Sequence, residues 1–181
     1  IQAETGAGKS TQVPQFLPRA GDFLFVSQSE PFQKLIHQGL ITNQCAKMSN
    51  SKGNVVSPDA FVEKHGADVF RMYLMFMGPF TDGGDWSDTG IKGVDRFVQR
   101  LWKLASEKMN NKSVQSKDLL QGLHSSIDRV SQSLEKLQFN TAISALMELL
   151  NLMDQQESIH PSTLQVVAQL LAPLAPHFAE E

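Results

Sequence analysis

The chain has 181 residues, of which 41% are hydrophobic and 19% are charged, and its formal net charge is −3. This length fits one ordinary domain or two small ones with a buried core, and the weakly acidic balance means that any nucleic-acid contact must come from a local basic patch. The single Cys45 excludes an internal disulfide and a multi-cysteine zinc site, so we expect a reducing compartment, and no apolar run approaches the roughly 20 residues that span a bilayer.

The chain begins with a segment that approaches a phosphate-binding pattern. Residues 3–11 read AETGAGKST, with Ala3 where the first glycine of the Walker A spacing usually stands. Continued by QVPQF, residues 1–17 resemble the first motif of DEAH-type RNA helicases, which implies Lys9 on the terminal phosphates and Ser10 on magnesium. Pro14 shortens the following helix and no acidic helicase motif follows, so we expect an inert segment over residues 1–25, with a P-loop NTPase as the alternative.

A short helix and a short strand are predicted next. Pro31 suits the first turn of a helix that begins at Glu30, and Gly39 suits its C-cap. The apolar run Leu40–Thr42 then predicts a strand.

Residues 47–54, which we call the lysine loop, concentrate charge and small polar side chains. The segment reads KMSNSKGN, and nothing in it commits the backbone to a helix or a strand. A lysine ammonium is a compact charge with three donors, and serine hydroxyls add neutral donors around the same anion. The composition therefore predicts a polyanion-binding loop, and a plain polar surface loop is the alternative.

Two helices are predicted after the lysine loop. Ser57 can cap the first, which begins at Pro58 and ends at Gly66. The second, 67–77, has almost no polar residues, and such a helix is normally buried. We interpret its methionines and aromatic residues as core.

Residues 81–88 are rich in glycine and aspartate and predict a solvated loop. Asp82, Asp85 and Asp88 are candidate calcium ligands, but their spacing lacks the glycine and the terminal glutamate of a calcium loop. No metal site is predicted anywhere in the chain.

A two-faced helix is predicted from about Thr89 to Lys108. Its apolar side consists of Ile91, Val94, Phe97, Val98, Leu101, Trp102, Leu104 and Ala105. Its opposite side, which we call the basic stripe, consists of Lys92, Arg96, Arg100 and Lys103. A solvated face and an RNA-backbone surface both fit this stripe.

The rest of the chain predicts a helical bundle. A linker is expected over 110–121, followed by a helix with apolar residues from Leu123 to Leu137. Asn140 can cap the next helix, and Pro161 can start another that Pro173 ends. Short connections favour an antiparallel bundle, so the predicted class is mainly α.

The lysine loop resembles the KMSKS signature of class I aminoacyl-tRNA synthetases, here KMSNS, continued by KGNVVSPDAFVEKHGADVFRMYLMFMGP. Two later segments, WSDTGIKG at 86–93 and RFVQRLWKL at 96–104, resemble leucyl-tRNA synthetases rather than their valine, isoleucine or methionine relatives. The resemblance runs from about Val26 to the last residue. It implies the end of a nucleotide-binding α/β domain over 26–80, then an incomplete anticodon-binding-like bundle over 81–181.

The resemblance also implies roles for individual residues. ATP would contact Lys47, Met48, Ser49, Asn50, Ser51 and Lys52, of which Lys47, Ser49, Asn50 and Ser51 would be catalytic. Magnesium would arrive with ATP, without dedicated ligands in this chain. The basic stripe would contact tRNA(Leu). Asn50 departs from the pattern, because the family has a phosphate-binding lysine at this position.

The HIGH motif and the amino-acid pocket of that family are not found in this chain. We therefore expect a C-terminal fragment, cut at both ends, that does not activate leucine alone and that derives from a cytoplasmic enzyme, with an organellar one also possible. The oligomeric state stays open. Two alternatives remain, an RNA-helicase-type NTPase that uses Lys9 and a non-catalytic RNA-binding module that uses the basic stripe.

Overall fold

Residues 36–181 are the part of the chain that this computed structural model describes. They begin with two short strands, followed by two helices, a third strand and five further helices. Residues 38–181 form one compact unit. Its sheet consists of β1 (Leu40–Asn43), β2 (Ala46–Lys47) and β3 (Gly83–Asp85), in the order β2-β1-β3. β1 pairs antiparallel with β2 and parallel with β3. The predicted strand at 40–42 is confirmed, and the loop predicted over 81–88 is wrong at its centre, where β3 forms.

The helices account for most of this unit, as predicted. They are α1 (Asp59–His65), α2 (Ala67–Phe76), α3 (Ile91–Lys108), α4 (Lys117–Glu135), α5 (Phe139–Asp154), α6 (Pro161–Leu171) and α7 (Pro176–Glu180). A single 3₁₀ turn covers Asn50–Lys52.

Glycines allow β3 to approach β1 closely. Gly83 has a φ of +80°, and a Cβ atom there would lie 2.1 Å from the carbonyl oxygen of Leu40. A Cβ atom on Gly39 would lie 1.9 Å from the amide nitrogen of Gly83. Residues 36–39 carry no regular structure, so Gly39 does not cap a helix as predicted, and the rest of that predicted helix lies outside the described residues.

α1 and α2 follow their predicted bounds closely. Gly66, with a φ of +85°, ends α1 by donating its N–H to the carbonyl of Val62 at 2.9 Å. α1 begins one residue later than expected, at Asp59, whose carboxylate accepts the hydroxyl of Ser57 at 3.0 Å. α2 buries Met72 and its neighbours, whereas Arg71 is exposed, so the helix is not apolar on all sides.

α4 begins within the predicted linker. The hydroxyl of Ser116 accepts the N–H of Leu119 at 3.2 Å, which caps the first turn. The linker prediction is therefore wrong for residues 117–121, because Leu119 belongs to the same buried face as Leu123.

The junction of α4 and α5 also differs from the sequence-based expectation. Leu137 adopts a left-handed φ of +57°, so α4 ends at Glu135 rather than continuing through Leu137. α5 begins at Phe139, which places Asn140 inside the first turn, and no side-chain cap bond starts this helix.

α4 and α5 pack antiparallel across the tight connection 136–138. Arg129 pairs with Glu148, and a Cβ atom on Gly122 would lie 2.5 Å from Leu152 Cδ1. α3, α6 and α2 contribute to the same core, whose largest fully buried side chains are Met72, Ile91, Leu119, Ile143, Leu149, Leu150, Met153, Ile159, Leu171, Leu174, Val94 and Val130. Trp102, on the predicted apolar side of α3, packs edge-on against Phe178 with ring centroids 5.8 Å apart but stays 49% exposed.

Candidate functional site

The turn between β1 and β2 leads into the lysine loop. Asn43 pairs with Ala46, and the two residues between them, Gln44 and Cys45, have φ values of 54° and 59°. Two-residue hairpins of this left-handed kind normally use Asn-Gly, since other residues pay about 1–2 kcal/mol each for this backbone conformation. The turn therefore depends on contacts from outside itself.

Asp85, the last residue of β3, supplies those contacts. Its Oδ1 atom accepts the hydroxyl of Thr42 at 2.6 Å and the N–H of Cys45 at 2.9 Å. The Thr42 hydroxyl, and then the Cys45 amide, lower the pKa of Asp85, because both donors stabilise its ionised form. The sequence offered Asp85 only as a rejected calcium ligand.

Asn54 closes the other end of the lysine loop. Its side chain accepts the N–H of Ser49 at 2.9 Å and donates to the carbonyl of Lys47 at 3.2 Å. Its own carbonyl accepts from the side chain of Asn43 at 3.0 Å. These bonds tie the loop to β1 and were not predicted from the sequence.

The loop between these anchors brings the predicted site residues together. The hydroxyls of Ser49 and Ser51 lie 3.1 Å apart, and the N–H of Lys52 donates to the Ser49 carbonyl at 3.1 Å. Lys47, Ser51 and Lys52 are exposed, whereas Met48 is half-buried against the core. Asn50 lies in the 3₁₀ turn. The loop thus presents two ammonium groups and two hydroxyls, with Met48 as an anchor.

An aromatic cluster supports the segment that carries Asp85. Trp86 is 8% exposed and packs edge-on against Phe61 and Tyr73, with ring centroids 4.8 and 5.2 Å away. The hydroxyl of Tyr73 donates to the carbonyl of Ser87 and accepts its N–H, both at 2.9 Å, and burial raises the pKa of this phenol. The backbone N–H of Trp86 donates to the carbonyl of Thr42 at 2.8 Å.

The structure places the whole basic stripe on one exposed side of α3. Within residues 36–181, Lys92, Arg96 and Lys103 have no acidic partner within 4.0 Å. Arg100 instead forms an ion pair with Asp154 of α5 and donates to the Asn151 side chain at 3.0 Å. Among the described residues, three cations of the stripe therefore have no acidic partner, and the fourth, Arg100, is paired with Asp154.

An apolar cavity of about 360 Å³ lies apart from the lysine loop. It is lined by β1, β3, the end of α2 and Phe139.

Within the described part of the chain, no three His, Cys, Asp or Glu side chains are grouped to hold a metal ion. No helix in residues 36–181 is long and apolar enough to cross a membrane.

Two family models match separate parts of the chain. Residues 24–87 match the class I tRNA synthetases (I, L, M and V), and residues 116–181 match the anticodon-binding domain of tRNA ligases. The chain thus carries a class I tRNA synthetase domain region followed by an anticodon-binding domain. Residues 1–17, with the P-loop-like pattern, lie outside both matches and outside the described residues.

Three individual relatives that this chain resembles are leucine–tRNA ligases. Identities are 41% with the enzyme of Dehalococcoides mccartyi strain CBDB1, 44% with that of Clostridium perfringens strain 13 and 43% with that of Thermotoga maritima. Each match covers 88% of this chain and 21 or 22% of the relative. The chain therefore spans about a fifth of the length of these ligases.

A solved structure agrees with this similarity. The ternary complex LeuRS–tRNA–LeuAMS of Agrobacterium radiobacter K84 agnB2 matches with a TM-score of 0.76 and 26% identity, over 94% of this chain and 24% of that one. The predicted resemblance and the mainly helical fold class are confirmed. The predicted boundaries after residues 25 and 80 stay predictions.

Proposed function

We propose that residues 24–181 are a segment of a leucine–tRNA ligase, in which the lysine loop acts on ATP and the helical region contacts tRNA(Leu). The observation that carries this proposal is the lysine loop itself, which Asn54 closes at its neck while Lys47 and Lys52 face solvent. The site that binds the leucine side chain lies outside this chain, and we expect the ligase to be cytoplasmic.

The reaction would be attack of the leucine carboxylate on the α-phosphorus of ATP, with pyrophosphate as the leaving group. Negative charge grows on the leaving group and on the equatorial oxygens in the transition state. Lys47 and Lys52 would stabilise that charge electrostatically, and the hydroxyls of Ser49 and Ser51 would add neutral donors. Magnesium would enter bound to ATP.

Asn50 would weaken this step. An amide donates a hydrogen bond but carries no charge, and the loss of one charged donor aimed at the transition state commonly costs on the order of 100-fold in rate. We therefore propose that adenylate formation with this loop is slower than with a loop that has lysine at position 50.

The basic stripe would contact the tRNA backbone. Lys92, Arg96 and Lys103 are exposed and free of acidic partners among the described residues, so they can neutralise phosphates without breaking an ion pair. Arg100 must leave Asp154 to do the same. The stripe would therefore bind mainly through its three free cations.

The proposal is tested in a chimera of the Thermotoga maritima ligase that carries residues 24–181 in place of its matching segment. We expect the double variant Lys47→Ala, Lys52→Ala to lower ATP–pyrophosphate exchange at least about tenfold, because two charges leave the transition-state environment. Lys64→Ala removes an exposed lysine of α1 and serves as the control. An exchange rate unchanged by the double variant contradicts the proposal.

A further inference from the structure

The carboxylate of Asp85 lies beside the β1–β2 hairpin, which leads into the lysine loop. We propose that Asp85 is a positioning residue: it fixes the β1–β2 turn and thereby sets the direction in which the chain enters the lysine loop. This inference rests on the proposed function. Among the described residues, the Asp85 carboxylate accepts hydrogen bonds from Thr42 and Cys45 and from no residue of the lysine loop, so it acts through the hairpin.

The backbone of the β1–β2 turn needs support from outside the turn. Gln44 and Cys45 both occupy left-handed backbone conformations without the Asn-Gly sequence that normally suits them. Strained backbone of this kind persists only where surrounding contacts determine it. The bond from the Cys45 N–H to Asp85 Oδ1, at 2.9 Å, is such a contact, and it ends on an ionised acceptor.

The register of the hairpin links Asp85 to Lys47 through Thr42. Lys47, the first residue of the lysine loop, pairs directly with Thr42. Thr42 is held on both sides, since its hydroxyl donates to Asp85 and its carbonyl accepts the N–H of Trp86. A displacement of the turn or of Thr42 therefore moves Lys47, whose carbonyl also holds Asn54.

The segment that carries Asp85 is held by the buried Trp86 that follows it. Asp85 precedes Trp86, which is buried among aromatic rings of α1 and α2. The backbone of Asp85 is consequently anchored beside the core, while its exposed carboxylate binds atoms of the hairpin. Asp82 lies in the same segment, and its carboxylate accepts only the hydroxyl of its neighbour Thr81, at 3.1 Å, among the described residues, so it provides a matched control.

The structural part is tested by hydrogen exchange in the full 181-residue chain. Asp85→Ala is expected to speed exchange of the Ala46 amide, which belongs to the pair that closes the turn, about tenfold, because the turn loses one bond to a charged acceptor. Asp82→Ala should leave that rate unchanged. The sequence produced by Gln44→Asn and Cys45→Gly favours this turn without outside contacts, so in that background the effect of Asp85→Ala on the same amide should fall below about threefold. Equal effects in both backgrounds overturn the inference.

The functional part is tested by a double-mutant cycle in the chimeric ligase. Asp85→Ala should slow ATP–pyrophosphate exchange about tenfold, yet less than twofold when Lys47→Ala and Lys52→Ala are already present, because it acts through the loop. A merely stabilising residue would give the same factor in both backgrounds, and that result overturns the inference alone. If the lysine substitutions have no effect, the proposed function fails, and this inference fails with it.

Discussion

The lysine-loop region, residues 40–88, and the helical region, residues 91–181, hold their shapes by different means. The hairpin and the lysine loop of the first region rely on individual hydrogen bonds from Asp85 and Asn54 and on glycines at close approaches. The second region relies on a continuous apolar core, to which α2 and Trp86 of the first region also contribute. Loops that carry function on a rigid scaffold commonly show this division.

Burial shows where the free energy of unfolding originates. Fully buried apolar residues of the lysine-loop region belong to α2 or to Trp86, and none belongs to the hairpin or to the loop. The helical region buries most of its leucines and isoleucines. Substitutions in the loop should therefore change activity with little effect on unfolding, and substitutions in the helical core should do the reverse.

The largest effect is expected from Leu149→Ala in α5. Leu149 is 1% exposed, and the cavity left by its truncation should lower the free energy of unfolding by about 2–5 kcal/mol. Leu120→Ala, at a position 39% exposed on α4, should cost far less and serves as the control. Urea unfolding measures both variants. Similar losses for the two would show that the helical region is not held by a packed core.

Asn50→Lys is expected to have the next largest effect, on activity alone. A charge restored at the transition state should raise ATP–pyrophosphate exchange in the chimeric ligase at least about tenfold, with an unchanged unfolding midpoint. The control is Gln121→Lys, which adds the same charge at an exposed position of α4. An unchanged exchange rate would show that position 50 does not act on the phosphates.

A smaller effect is expected within the basic stripe. Lys92→Ala should reduce the slope of log affinity for tRNA against log salt by about 1, since one phosphate contact is lost. Arg100→Ala should reduce it less, because Arg100 is paired with Asp154. Filter binding at several salt concentrations measures both slopes. Equal slopes for both variants and the unaltered chain would remove the stripe from the RNA surface.

The smallest effect is expected at the exposed pair of Arg129 and Glu148. Hydrogen bonding to Arg129 lowers the pKa of Glu148 below its ordinary value of 4.5, so the pair stabilises the fold above that pH and loses this contribution as the pH falls through the lowered pKa. Glu148→Gln should therefore cost less than about 1 kcal/mol at neutral pH and nothing in strong acid. Thermal unfolding across this pH range measures the difference, and a cost that persists in acid would contradict it.

The sequence by itself determined the elements whose signals are local. Apolar residues spaced three and four apart predicted α3 and most of α4, Gly66 marked the end of α1, and Pro161 marked the start of α6. The order of residues in KMSNS and in its continuation was sufficient to indicate the resemblance to class I tRNA synthetases. These features depend on neighbours within a few positions, and a sequence displays them directly.

Only the tertiary structure decided the contacts between distant positions. The bond from Cys45 to Asp85 joins residues 40 apart, and the contact of Arg100 with Asp154 joins residues 54 apart. Trp102 lies on the apolar side of α3 by periodicity, yet the packing of the bundle leaves it 49% exposed. Periodicity states which side of a helix is apolar, whereas the neighbouring elements determine how much of that side is covered and which charged residues find partners.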